Sequence, residues 1–301
     1  METKRIQHAV VLGCLLAAAI GVFSTGLTWG LPSRTADVYL FGQRRPWSGA
    51  ELMKLAPNWD TDASRGADVA AHPPLDRSDT ITVNADDAQR AAIVRRFRLY
   101  SDQPDEMITL RALAQIKPGQ HQFDPQLYQY GGLWIYPIGT LIKIASMVKL
   151  AIVTPDVTFY LDHPEAFARF YIIMRLYSLI WGLISVIVIY LLTDRLTDSI
   201  IAAVTAGLAF IFCPTVINAA HEAKPHLAGA ALGLVTLFAA CRAIRSGRLT
   251  WAIWAGVASG AATSMILSGG LTIFILLAMA IFMPSRRILS ALLPILMACA
   301  I

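Results

Sequence analysis

Beyond Phe170 the chain is a succession of apolar runs separated by short polar or basic turns, and this pattern restricts the fold more than any other feature. Phe170–Leu192 is long enough to cross a hydrocarbon core, which takes about 20 helical residues. Ile200–Ile217 reads as the return crossing, Leu227–Ala240 as the next, and Leu249 to about Leu267 with Leu271–Met283 as a hairpin. Ile288 opens another run that stops at Ile301, short of a full crossing, so the chain is expected to be part of something longer. Near the start, Lys4 and Arg5 precede an apolar run from about Ala9 to Leu27 without a small-x-small cleavage site, which reads as an uncleaved first span. Hydrophobic residues make up 56% of the chain and charged residues 15%, with a mean hydropathy of +0.55. A soluble domain is thereby excluded, and an all-α polytopic membrane protein with one polar insertion is expected.

The basic residues decide the orientation of these spans. Lys4 and Arg5, Arg195, the Arg242–Arg245–Arg248 cluster and the Arg286–Arg287 pair all fall on one side only if the short apolar run Ile138–Val148 lies on the membrane surface. That run carries Lys143 and follows Pro137, so it is a poor crossing and a good interfacial helix. The positive-inside rule then puts the basic clusters in the cytoplasm. The net charge of +5 serves topology and is not a nucleic-acid signal. Cys14, Cys213, Cys241 and Cys299 lie in or at the edges of apolar runs, with no CxxC spacing, so neither a disulfide framework nor a zinc site is indicated. The chain thus divides into a first span over residues 1–30, an extracytoplasmic loop with juxtamembrane helices over 31–168, and a bundle of about five complete spans plus a shortened one over 169–301.

Within the loop, Pro57–Asp60 and His72–Pro74 read as turns. A helix is expected between Asn84 and Tyr100, with Asn84 as its cap. Arg90, Arg95, Arg96 and Arg98 make it basic, suiting either a solvated face or a surface resting on anionic headgroups. The sharper signal is Ser101-Asp102-Gln103-Pro104-Asp105-Glu106-Met107. Proline suits the first helical position, where its missing N–H costs nothing. Asp105 and Glu106 then lie over the positive end of the helix dipole. Met107, Leu110, Leu113 and Ala114 give this helix one apolar side. Two acids at a helix start are also ordinary capping chemistry.

Two further groups share the outer face in this topology. Arg175 lies near the start of the second span, and His221-Glu222-Ala223-Lys224-Pro225-His226 joins two spans. Snorkelling would account for Arg175 and a plain polar turn for the second group. However, a charge at membrane depth costs about 2.5–3.5 kcal/mol, and a connection does not need four ionisable residues. A carboxylate acting as general base on a hydroxyl, with cations meeting a phosphate leaving group, would use this set. The substrate would be part lipid and part polar, as in glycosyl transfer from a polyprenyl-phosphate sugar.

The ordered set Pro104-Asp105-Glu106, Asp124-Pro125 to Tyr136-Pro137, Arg175-Leu176-Tyr177-Ser178-Leu179, Tyr190 to Leu196 and Phe212-Cys213-Pro214 to His226 resembles the GT-C membrane glycosyltransferases. It is closest to the protein O-mannosyltransferase and lipid A aminoarabinose transferase group. The resemblance covers most of the chain from about residue 100. It implies a GT-C-like helical bundle with a large extracytoplasmic first loop, a C-terminal part missing from this chain, and inverting transfer of a hexosyl or pentosyl group. Asp105 and Glu106 would be the catalytic acids, with Asp105 as general base. Arg175, Lys224, His221 and His226 would bind the donor phosphate, and Glu222 would be a second acid. Many relatives carry an Asp where this chain has Lys224-Pro225-His226, so no metal ligand is assigned and a divalent metal is left open. The expected partners are a polyprenyl-phosphate sugar, a lipid, glycan or protein acceptor and membrane lipids, with no nucleic acid, at the plasma (inner) membrane. The rival from another class is a non-enzymatic transporter or assembly subunit. Against it, the charges gather at one face and not at the midplane where transporter sites lie.

Overall fold

The computed structural model describes residues 2–55 and 87–283. Among these residues the protein is helical, with two isolated β-bridges and no strand. The helices in chain order are α1 (Glu2–Ser24), α2 (Asp37–Phe41), α3 (Gly49–Leu55), α4 (Asp87–Leu99), α5 (Pro104–Gln115) and α6 (Gly132–Met147). They continue as α7 (Val157–Asp162), α8 (Pro164–Thr197), α9 (Ile200–Ile211), α10 (Pro214–His221), α11 (His226–Ser246), α12 (Leu249–Met265) and α13 (Ile273–Phe282). The turns expected at Pro57–Asp60 and His72–Pro74, the cap Asn84 and the run from Ile288 lie outside the described residues.

Among the described residues three helices are long and apolar enough to cross a bilayer: α1 from Lys4, α8 and α11. A fourth crossing results if α9 and α10 form one span. The expected continuous run Ile200–Ile217 is in fact broken, and its two halves meet at 58°. The cause is Pro214, which cannot donate to the preceding turn and becomes the first residue of α10. The hairpin after Leu249 forms, with a 3₁₀ turn over Leu267–Thr272 between its arms. Apolar side chains such as Ile201, Phe274 and Ile281 face outward, as they must where the surroundings are lipid.

The chain folds as two compact units. The first comprises Met1–Trp29, Gln103–Met147 and Tyr171–Ile301. One core cluster joins Leu15, Ala19 and Phe23 of α1 to Leu179, Val186 and Tyr190 of α8, with Ala203, Ile211, Ala220 and Leu227. A second cluster packs Ala239, Ala240 and Ala243 of α11 on Ala252 and Ala255 of α12, closed by Leu276 and Met279 of α13. Small side chains let these helix backbones approach closely. At the end of α12, Gly131 N–H donates to the Met265 carbonyl at 3.1 Å, and a Cβ at Gly131 would overlap the Ser264 carbonyl. Only glycine fits there.

α6 is interrupted chemically by Pro137, which leaves the Leu133 carbonyl without its helical donor. The Tyr177 hydroxyl of α8 supplies that bond at 3.0 Å. Trp134, fully buried on α6, donates through Nε1 to Thr109 Oγ1 of α5 at 3.0 Å. The sequence thus ties the acidic helix α5 to a short apolar helix, and that helix to α8.

The second unit comprises Gly30–Asp102 and Val148–Phe170. Its centre is Arg98 of α4, which is fully buried and donates to Asp37 Oδ2 at 2.8 Å and to the carbonyls of Trp47 and Leu161. Arg95 is buried as well. The basic helix is therefore not a uniformly solvated or headgroup-facing surface, because two of its arginines point into the unit. Removing one partner of a buried pair strands the other charge, at a cost of about 3–5 kcal/mol. Asp37→Ala should destabilise the protein by that order in denaturant unfolding in detergent. A change below about 1 kcal/mol, the scale of an exposed pair, would contradict the structural weight given to Arg98.

Candidate functional site

Seven residues were singled out in the sequence as site candidates, and all seven fall in the first unit. The local reason begins with α5. Pro104 is its first residue, so Asp105 and Glu106 occupy the first turn. Consecutive helical residues are about 100° apart around the axis, so the two carboxylates must point in different directions. Glu106 goes inward and is fully buried, whereas the Asp105 side chain is 55% exposed.

Glu106 meets Arg175 of α8 in a two-point ion pair, Nε to Oε1 at 2.9 Å and Nη2 to Oε2 at 2.8 Å. Oε1 also accepts the Ala223 N–H at 2.7 Å. Arg175 Nη1 donates to the carbonyls of Leu27 and Trp29, at 2.9 and 2.7 Å. One buried ion pair thereby fastens the start of α5, the end of the first span, α8 and the bend after α10. Tyr171, Arg175 and Ser178 lie at i, i+4 and i+7 on one face of α8. From this face Tyr171 O–H reaches Met107 Sδ at 3.9 Å, and Ser178 Oγ donates to the Glu222 carbonyl at 2.7 Å.

The bend that this scaffold holds carries Lys224. Its ammonium is 3.1 Å from Asp105 Oδ2 and 3.1 Å from Glu222 Oε2. Burial disfavours the charged lysine, but hydrogen bonds to Glu222 and Asp105 with their negative charge outweigh it, and the Lys224 pKa lies above its ordinary value. Tyr130 stands beside this cluster and packs edge-on against the His226 ring, with centroids 6.4 Å apart. Burial raises the Tyr130 pKa, with the Asp105 and Glu222 charges adding to it and Lys224 opposing.

A cavity of about 290 Å³ adjoins, lined by Gly26, Trp29, Gln103, Arg175, Asn218, His221 and Glu222. The His221 ring lies where a Cβ on Gly26 would be, so glycine at 26 makes room for it. Glu222 is common to the cavity and the Asp105–Lys224 cluster; Asp105 and Lys224 are not among the lining residues. Gln103, Asn218, Trp29 and Tyr130 were not anticipated as site residues. The aromatic composition around Tyr130 was visible in the sequence, but nothing there distinguished Asn218 within its apolar run. Among the described residues no cluster of three His, Cys, Asp or Glu side chains could hold a metal ion. The two acids nearest to forming one, Asp105 and Glu222, converge on an ammonium instead.

The fold and this arrangement define a polytopic helical membrane protein with an ionisable site where helix ends meet. Residues 171–301, under half of the chain, match the family model of the dolichyl-phosphate-mannose-protein mannosyltransferases. The match supports a GT-C-type membrane glycosyltransferase, in agreement with the resemblance drawn from the sequence. No curated protein and no solved structure matches the chain at a significant level.

The raised pKa of Lys224 fixes the sign of its pH dependence. Stability gained from its two carboxylate contacts is complete below the ordinary lysine value of 10.5 and is lost as pH rises through the higher folded value. The stability difference between the parent and Lys224→Met should therefore stay constant from about pH 6 to about pH 9. Thermal unfolding in detergent across that range checks it, and a difference that vanishes by about pH 8 would contradict the assignment.

Proposed function

We propose that this site transfers a sugar from a polyprenyl-phosphate donor to an acceptor hydroxyl, with inversion at the anomeric carbon. The observation that carries the reading is the division of the acidic pair: Glu106 is consumed by Arg175 and Ala223, while Asp105 stays half-exposed beside a lysine it shares with Glu222. A general base must be reachable by its substrate, and of the two acids only Asp105 meets that condition.

Lys224 gives the site a way to release this base. In the free protein its ammonium holds both carboxylates. A donor phosphate that draws the ammonium to itself frees Asp105. The acceptor O–H then gives its proton to Asp105 as its oxygen attacks the anomeric carbon. The bond to the phosphate oxygen breaks with its electron pair, and polyprenyl phosphate leaves. Lys224, with His221 on the cavity wall and His226 beside Tyr130, would stabilise the negative charge on that leaving group. Glu222 keeps the lysine in place between turnovers. Arg175, proposed from the sequence as a phosphate ligand, has its Nε, Nη1 and Nη2 engaged with Glu106 and two carbonyls. Its role in this reading, like that of Glu106, is to position.

Charge asymmetry supports an extracytoplasmic site, which we place in the plasma membrane as the resemblance implies. Arg175, about a third of the way along α8, and Arg195 near its end are twenty residues apart, about 30 Å along a helix. His226 and Arg245 are likewise at opposite ends of α11. The basic ends suit the cytoplasmic side, which leaves the acidic helix outside.

Asp105→Asn should lower transfer by at least about 10²-fold, the low end for loss of a general base, with unchanged expression and membrane insertion. Incubation of membranes with labelled polyprenyl-phosphate sugars measures donor consumption and identifies the sugar. A retained rate in the variant removes Asp105 as the base. Lys224→Ala should raise the donor KM more than it changes acceptor dependence, and an unchanged donor KM would reject its phosphate role.

A further inference from the structure

A second cavity, of about 490 Å³, lies at the opposite helix ends of the first unit, far from Asp105. Arg195 at the end of α8, Arg242 and Arg245 at the end of α11, and Arg248 at the start of α12 all line it. No carboxylate lines it, and none of these four guanidinium groups forms an ion pair among the described residues. Arg245 Nη1 donates to the Arg195 carbonyl. The Arg242 guanidinium lies 4.8 Å from the Trp251 ring centroid. Its Nε is buried and has no hydrogen-bond partner among the described residues.

Four like charges around one concavity repel one another and call for an anion. Guanidinium groups present paired N–H donors that match phosphate oxygens, which a point-charge ammonium does less well. Apart from Ser246, the rest of the wall is largely apolar, with Leu192, Leu196 and Phe238 joined by Cys241 and Trp251. Leu196 is itself 52% exposed, so this wall opens toward the surroundings of the bundle. A free phosphate would gain nothing from these side chains, whereas a phosphate attached to an acyl chain would. The depth is also right, since Arg175 and Arg195 are separated by about 30 Å along α8, the thickness of a hydrocarbon core.

We infer that this cavity binds the headgroup phosphate of an anionic membrane lipid, with the four arginines around the phosphate and the first acyl carbons along Leu196 and Phe238. The inference does not rest on the transfer reaction, because its residues are separate from the acidic site. A lipid held here would neutralise the charges where α8, α11 and α12 end, and would bind preferentially to the folded bundle.

The test uses the purified full chain in neutral detergent, with lipid retention read by native mass spectrometry. Phosphatidylglycerol should be retained by the parent, and at least about tenfold less by Arg242→Gln/Arg248→Gln, the loss expected when charge-assisted hydrogen bonds are removed. Phosphatidylcholine should be retained weakly and equally by both. Should the double variant fail to fold, Arg248→Gln alone, on an exposed side chain, should reduce phosphatidylglycerol retention by about threefold, the share of one exposed charge. Equal phosphatidylglycerol retention by parent and variant overturns the site. Phosphatidylcholine competing as well as phosphatidylglycerol reduces it to an apolar groove and overturns it too. Displacement of the lipid by millimolar inorganic phosphate assigns the arginines to a free anion and overturns the lipid as ligand.

Discussion

The buried pair between Glu106 and Arg175 is the interaction on which the rest of the site depends. Burying two charges is costly, and their attraction repays the cost only when geometry is good and the remaining hydrogen-bonding capacity is used. Both conditions hold here. The pair is bidentate, Glu106 accepts a third bond from Ala223, and Arg175 spends Nη1 on the carbonyls of Leu27 and Trp29. These carbonyls lie in the turns that follow α1, outside its helical hydrogen bonding. One ion pair therefore ties down the turns after α1, fixes a helix start and pins a bend.

From that anchor follows the unequal use of two adjacent acids. A helix start presents consecutive side chains in different directions, so burying Glu106 necessarily turns Asp105 elsewhere. Lys224 is brought to Asp105 by the same anchor, since Ala223 next to it is bonded to Glu106. The charge at this end is balanced internally: acids and bases face each other at about 3 Å. At the other end, among the described residues, four arginines share one cavity with no carboxylate in its lining. The bundle has a self-neutralised end and a basic end. This is the polarity expected of a protein oriented by basic residues.

Much of this was legible in the sequence because it rests on strong local signals. Apolar run length located α1, α8 and α11, the helices long enough to cross; Pro104 followed by two acids gave the start of α5; the run after Pro137 was legible as a short helix. The meeting of the Pro-Asp-Glu start with the His221–His226 bend was legible from charge placement, because topology left both on one face. What remained hidden depends on long-range partners. Which acid turns inward is set by Arg175, sixty-nine residues away. Arg98 looks like part of a solvated basic stripe until Asp37, sixty-one residues earlier, is seen beside it. The bend at Pro214 was signalled by the proline itself but masked by the unbroken apolar composition around it. Asn218 and Gln103 carry no periodic signal and enter the site only through the packing of α10 and α5.

The most direct test of this account is a double-mutant cycle on the anchor, using Glu106→Leu, Arg175→Met and the two together, read by unfolding in detergent. Each single variant leaves a buried charge without its partner and should lose about 3–5 kcal/mol. The double variant, apolar on both sides, should recover most of that loss, giving a large favourable coupling between the two positions. Losses that simply add, or single variants as stable as the parent, would contradict the claim that this pair holds the site together.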